Sequence, residues 1–402
     1  MKPDPEAAAL SPEIQSRILD FVDSQHDEII ACSHHLHANP ELSGQEHNSA
    51  AHLADIARRH GFDVEMGVGG LATSFAARHP ASASAGPRFA YLAEYDALPV
   101  VGHGCGHNLI GTAGTFAAIA LAQTAAALPG EVLLFGTPEE ETIGGKIVML
   151  DAGLFDDVDA AMMVHPGNDT EIAYTTSACL CPVIEFHGKS AHVASGAWKG
   201  INALDAMVQL FVSLDLTRKQ MPPTVRIPGI ITHGGTMANM VPDYTRAEFS
   251  LRAKNKEEAD VALERLLNCA RAAALSTGAR MEWQPTGNPY HEMRPDPRLA
   301  AFFERHWLEV GGNPPLDHVK PHGSIDIANL SHRFPCLHPS FSITDNTDFG
   351  VHTHEFAAAA NSPRAEEELL RVIKAMALTG AEVLSNGLDA TRDHSTLTKI
   401  SR

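Results

Sequence analysis

The feature that most limits how this chain can fold is a recurrence of short apolar runs, Phe89–Ala93, Gly130–Gly136 and Asp159–Val164, separated by helical stretches. Runs this short and this apolar read as buried strands. The Ala-rich stretch Leu109–Ala127 between the first two reads as a buried helix. Strands alternating with helices predict an α/β sheet. Each run ends in groups with chemistry: Glu94 and Asp96, then Cys105 and His107, after the first; Glu139, Glu140 and Glu141 after the second; His165 after the third. Open α/β sheets place their sites along this carboxyl edge.

At 402 residues the chain is long enough for a second core, since single cores stop growing near ~250–300 residues. From Cys181 onward the pattern changes to strand, helix (Ile201–Leu216), strand (Thr224–Thr232), strand (Tyr244–Arg252), helix and strand (Arg280–Gln284). That βαββαβ unit is self-contained. It predicts an inserted α+β lid at 180–288, with a discontinuous catalytic domain formed by 1–179 and 289–402. The fold class is therefore α/β, a mixed and mostly parallel sheet flanked by helices, plus the insert. A helix is expected from Ser11 to about Cys32, after a loose arm over residues 1 to 10. Another is expected from Ser362, whose N-cap position and acidic first turn mark a helix start.

Thirty basic against 49 acidic residues give a formal charge of −19, which argues against nucleic acid or an anionic membrane as partner. The start Met-Lys-Pro-Asp-Pro-Glu has no basic segment followed by an apolar one, and no stretch reaches the ~20 apolar residues of a membrane span. Six scattered cysteines do not form a disulfide framework. The expectation is a cytoplasmic protein.

Cys105 and His107 are one residue apart, so a thiolate and an imidazole can approach the same ion; the set suits zinc, with manganese or cobalt if carboxylates complete it. Read alone, the pair is more often a core thiol beside a structural histidine. Three consecutive glutamates repel one another unless a cation is near. One could ligate while its neighbour takes a proton from the attacking water; read alone, they are a solvated acidic loop. His165 and His352 are each unremarkable singly. Jointly, four strand-end loops that supply Cys, His, Glu and His are what a composite two-metal site requires. In the insert, His192, Asn239 and Arg252 are residue types that polarise a carbonyl or clamp a carboxylate.

These ordered motifs, from Leu36-His-Ala-Asn-Pro-Glu-Leu42 through Glu94-Tyr-Asp-Ala-Leu-Pro99, Gly104-Cys-Gly-His-Asn108, Thr137-Pro-Glu-Glu-Glu141, Gly188-Lys-Ser-Ala-His192 and Gly234–Asp243 to His352-Thr-His-Glu-Phe356, span nearly the whole chain. They resemble the cocatalytic metallopeptidases and amidohydrolases that include glutamate carboxypeptidase, aminoacylases and indoleacetyl-amino-acid hydrolases. Within that family they look most like the branch of aminobenzoyl-glutamate hydrolase and β-alanyl-lysine dipeptidase. The resemblance implies Cys105, His107, Glu141, His165 and His352 as ligands of two divalent ions, Zn or Mn with Co possible, and Glu140 as the base and later proton donor. It implies Asp96 behind a ligand, His192 at the oxyanion, reaching across a homodimer built by the insert, and Asn239 and Arg252 on the substrate. Glu139 competes with Glu140, and His354 with His352; the family spacing favours Glu140 and His352. Asn108 stands where the usual motif has Asp, which leaves substrate specificity open. The implied reaction is hydrolysis of the amide bond of an N-acyl amino acid or dipeptide by metal-activated water. The competing reading is a catalytically silent ligand-binding or regulatory subunit of a hetero-oligomeric hydrolase; retention of all five ligands and the base argues against it.

Overall fold

In the computed structural model, which describes residues 10–80, 86–316 and 323–388, helices α1 (Pro12–Ser24), α2 (His26–Ala38) and α3 (His47–Arg59) precede strands β1 (Asp63–Met66), β2 (Phe75–Arg78) and β3 (Arg88–Ala93). Then come α4 (His107–Ala122), β4 (Glu131–Gly136), α5 (Gly145–Asp151), β5 (Ala160–Met162) and β6 (His165–Gly167). The central sheet runs β1-β2-β4-β3-β5-β13, with β13 at Cys336–Leu337. Its β4, β3, β5 and β13 are parallel, and β1 and β2 are antiparallel additions at one edge. The carboxyl ends of all three expected strands therefore open on the same side.

Helix α4 lies against β3 with all of its residues buried. The close approach depends on small residues: a Cβ on Gly114 would stand 2.4 Å from the Leu92 carbonyl oxygen, and one on Gly111 2.9 Å from that of Glu94. One face of the sheet is covered by a large core shared with α1, α2, α4, α9 (Pro297–Glu309) and α12 (Pro363–Asn386). A smaller core on the other face includes α5 and the short helix α10 (Ile327–Leu330). The remaining elements of this part are β14 (Ser340–Ser342), parallel to β6, and α11 (His354–Ala359).

The stretch from Ala178 to Pro285 carries β7 (Ala178–Leu180), β8 (Pro182–His187), α6 (Val193–Gly196), α7 (Ala203–Arg218), β9 (Gly229–His233), β10 (Tyr244–Phe249), β11 (Leu251–Ala253), α8 (Lys256–Thr277) and β12 (Arg280–Pro285). Its antiparallel sheet runs β12-β8-β10-β9, and a separate core is formed with α7 and α8. Helix α8 starts on Asn255, whose side chain accepts from Glu258 N, an N-cap satisfying an otherwise orphaned donor.

Several local expectations are corrected. The first helix breaks at Gln25 and resumes as α2 to Ala38 instead of ending near Cys32. Ile29, Cys32 and Leu36 keep a buried face along α2, so packing carries the helix past Cys32. The strand expected over Thr224–Thr232 begins only at Gly229, just past Pro228, which has no N–H for a ladder. Tyr244–Arg252 is two strands split at Ser250, one pairing within the lid sheet and the other with β7. Residues 1–9 of the expected arm and loop residues 81–85 lie outside the described residues. Among the described residues, no helix is long and apolar enough to cross a membrane.

Candidate active site

The turn after β3 is held by Asp96. Ser43 Oγ donates to its Oδ2 at 2.7 Å, the Glu141 amide donates to the same oxygen at 3.0 Å, and His107 Nδ1 lies 2.7 Å from the Asp96 carbonyl. Burial opposes the ionised carboxyl, but the His107 hydrogen bond and charge, the Glu141 amide and Ser43 outweigh it and hold Asp96 down at about 2. The result is a fixed His107 ring: with Nδ1 on a carbonyl, Nε2 faces the centre.

His107 is the first residue of α4, after Gly106 at φ 73°. Its Nε2 lies 3.1 Å from Glu94 Oε1 and 3.9 Å from Glu141 Oε1. Cys105 Sγ lies 2.8 Å from Glu141 Oε1. Burial pushes the Cys105 thiol up to about 12, so it needs a bound cation to act as a thiolate. Donor atoms of Cys105, His107 and Glu141 lie within 4.8 Å of one another, as do those of Glu94, His107 and Glu140. Sulfur, imidazole and carboxylate gathered this closely are a donor set for divalent ions.

His165 follows β5, with its ring centroid 6.0 Å from that of His107, edge to face, and its Nδ1 2.7 Å from the Pro166 carbonyl. His352 is held at φ 68° with its amide on the Gly104 carbonyl at 2.8 Å, which brings Nε2 to 3.9 Å from Glu141 Oε1. His354 instead opens α11 and does not line the cavity. In the glutamate run, Glu139 has φ 63° and its amide donates to buried Glu46 Oε1 at 3.0 Å. Glu140 is buried, its carboxyl lifted well above the ordinary range by burial and then by Glu94, Glu141 and Asp326.

All five expected ligands and Glu140 line one cavity of about 590 Å³, within the usual size range of small-molecule sites. Arg252 lines the same cavity and donates to Ser324 Oγ at 3.1 Å, while Ser324 is tied to the Ser177 carbonyl. His192 and Asn239 are not brought in. His192 is exposed at the start of α6, and Val193 N bonds the Asn239 carbonyl, away from the cavity lining. Asn108 is also elsewhere: its side-chain amide donates to Ser33 Oγ and the Ala360 carbonyl inside the core.

Reading residue types along the chain did not single out Lys146, Tyr290, Tyr174 or His338. Tyr290 donates to the Glu140 carbonyl at 2.6 Å, and Tyr174 Oη lies 2.6 Å from His338 Nδ1 in the cavity wall. Lys146 was detectable as a lone cation beside Gly144 and Gly145 in an apolar stretch; its side chain is wholly buried. The others carry no local signal.

Residues 182–277 match the peptidase dimerisation domain of M20 enzymes. The chain is 34% identical over 401 residues to the Xaa-Arg dipeptidase of Mus musculus, covering 95% of this chain and 92% of that one. This chain belongs to the M20 metallopeptidase family. With a p-aminobenzoyl-glutamate hydrolase chain of Escherichia coli it is 31% identical over 291 residues, 67% of this chain and 60% of that one. A solved aminohydrolase from Staphylococcus aureus superposes with a TM-score of 0.79 at 18% identity, covering 92% of this chain and all of that one. A dinuclear metal-binding M20 peptidase from Bacillus subtilis does so at 0.66 and 21% identity, covering 90% and 99%. At those identities the structures speak for the fold. This M20 protein is a metal-dependent hydrolase of amide bonds, and its donor set fits two metal ions. Its dimerisation domain points to an oligomer.

Proposed function

We propose that this protein hydrolyses the amide bond of a dipeptide or N-acyl amino acid with a free carboxylate. The observation that carries the reading is one cavity with the Cys105–His107–Glu141 donors and buried Glu140 in its wall, and Arg252 lining it as well. Cys105, His107, Glu141, His165 and His352 hold two divalent ions, zinc or manganese. When bound, such a pair polarises the substrate carbonyl and makes water acidic enough to attack near neutral pH. Glu140 takes the proton of the attacking water and gives it to the leaving amine nitrogen, the division of labour of a general base turned acid. Asp96 keeps His107 aimed by holding its Nδ1 side. Arg252, propped by Ser324, clamps the substrate carboxylate.

Residues 1–179 and 289–402 form the catalytic body and 180–288 the lid, which pairs with the lid of a second copy. His192 and Asn239, absent from the cavity of their own chain, reach the site of the other copy, where His192 stabilises the oxyanion and Asn239 holds the carbonyl. Asp169 and Glu171 line the cavity, which favours a cationic residue in the substrate; the mouse and human relatives named for Xaa-Arg cleavage point the same way. Six free cysteines fit a cytoplasmic enzyme.

The test is Glu140→Gln, assayed on a panel of dipeptides with basic and neutral carboxyl-terminal residues and on N-acyl amino acids, with metal content measured on the same sample. The variant keeps its fold and metals and loses turnover. Wild-type rates in a metal-loaded variant remove Glu140 from its role, and a metal-loaded wild type inert on the whole panel removes the substrate class.

A further inference from the structure

We propose that Glu94 is a further carboxylate donor of the metal centre, on the ion held by His107, with Lys146 and Asp326 fixing it in place. This rests on the two-ion reading above and adds a residue to it.

Glu94 follows β3 and is wholly buried. Its Oε2 is bonded by the Lys146 ammonium, whereas Oε1 receives no hydrogen bond and stands 3.1 Å from His107 Nε2. Because His107 Nδ1 is committed to the Asp96 carbonyl, Nε2 is the nitrogen that faces Glu94. Two ligands of one ion with bonds of ~2.1 Å stand ~3.0–3.4 Å apart in tetrahedral or octahedral geometry. The Glu94–His107 separation is of that size. A Glu140 donor oxygen lies within 4.8 Å of both.

The charge balance around Lys146 points the same way. Asp326 Oδ1 lies 2.8 Å from the Lys146 ammonium, and Asp326 Oδ2 accepts from the Lys146 amide at 2.9 Å. One carboxylate already neutralises this buried cation. Glu94 is thus a second carboxylate on a cation that Asp326 already pairs, and it gives Lys146 only one of its two oxygens. Glu141, by contrast, stands 3.9 Å from both His107 and His352 and beside Cys105.

The experiment titrates Mn²⁺ into chelator-stripped wild type, Glu94→Gln and the triple variant Glu94→Gln/Lys146→Met/Asp326→Asn by calorimetry, with metal content and thermal melts in parallel. Wild type takes two ions. Glu94→Gln keeps one at about wild-type affinity, binds the other about ten- to a hundredfold more weakly, and is stabilised less by added Mn²⁺. The triple variant removes the buried ammonium together with both of its carboxylates and leaves none of the three charges unpaired, so it decides the matter where the single variant is too unstable to fold: it folds and still lacks the second ion. Two ions at wild-type affinity in either variant reduce Glu94 to a structural counter-ion and overturn the proposal, leaving the catalytic reading intact. Fewer than two ions in wild type overturns both.

Discussion

Cys179 shows how a single side chain takes its chemistry from its neighbours. It sits opposite Arg252 in the β7–β11 ladder and lines the cavity together with Cys181. A hydrogen bond from Cys181, then the charge of Arg252 and contacts with Ser250 and Ser324, hold its thiol below the ordinary range against the effect of burial, while the Cys181 thiol is pushed up. The thiolate is the nucleophilic form. At pH 7 iodoacetamide is therefore expected to label the tryptic peptide 147–189 first, on Cys179, and Cys179→Ser should abolish that early adduct. Early labelling of Cys181 instead would show that the proton sits on the other sulfur. Nothing in Cys179-Leu-Cys181 discloses this order, because Arg252 and Ser324 are distant in sequence.

At the scale of elements, two packings can be tested by the sign of an effect. Alanine normally stabilises a helix over glycine by ~1 kcal/mol, yet on Gly114 the new methyl would meet the Leu92 carbonyl oxygen at 2.4 Å. Gly114→Ala should thus destabilise by about 1–3 kcal/mol, the range for overpacking, read from urea midpoints. A gain in stability would mean α4 can move off β3. Helices α9 and α12 are joined through buried Glu382, which accepts from His306 Nε2 at 2.8 Å and pairs with Arg305. Burial raises this carboxyl, but the two partners outweigh it and hold it below 4.5. A depressed carboxyl contributes stability above its unfolded value and loses it as pH falls through its folded value. The stability gap between wild type and Glu382→Gln should therefore be full at neutral pH and close below about pH 4. A gap independent of pH would assign the loss to packing alone.

The whole molecule raises the question of assembly. Val208, Val212 and Leu216 stand exposed one turn apart on α7, and Ile230 and Ile231 are exposed on β9, the edge strand of the lid sheet. Exposed apolar side chains and an open sheet edge are features that an oligomer covers. Val212→Glu should shift the mass measured by light scattering from dimer to monomer. Mixing inactive Glu140→Gln with inactive His192→Ala should then restore turnover, since the mixed dimer holds one site with both residues intact. No recovery after demonstrated subunit exchange would place His192 outside the partner's site.

The chain by itself determined the framework of the candidate site. Short apolar strands alternating with helices admit few arrangements, and the polar groups at their ends are ordered by the chain, so Cys105, His107, the glutamate run, His165 and His352 could be picked out before any geometry was known. What only the tertiary structure decided are the pairings that span long intervals. Glu94, inside the most conspicuous motif, had no visible task until Lys146 and Asp326 were seen on one of its oxygens and His107 beside the other. Asn108, conspicuous in sequence, turned out to serve the core. Periodicity and motif spacing report local conformation, whereas a buried charge acquires its meaning from partners that only folding brings within a few ångströms.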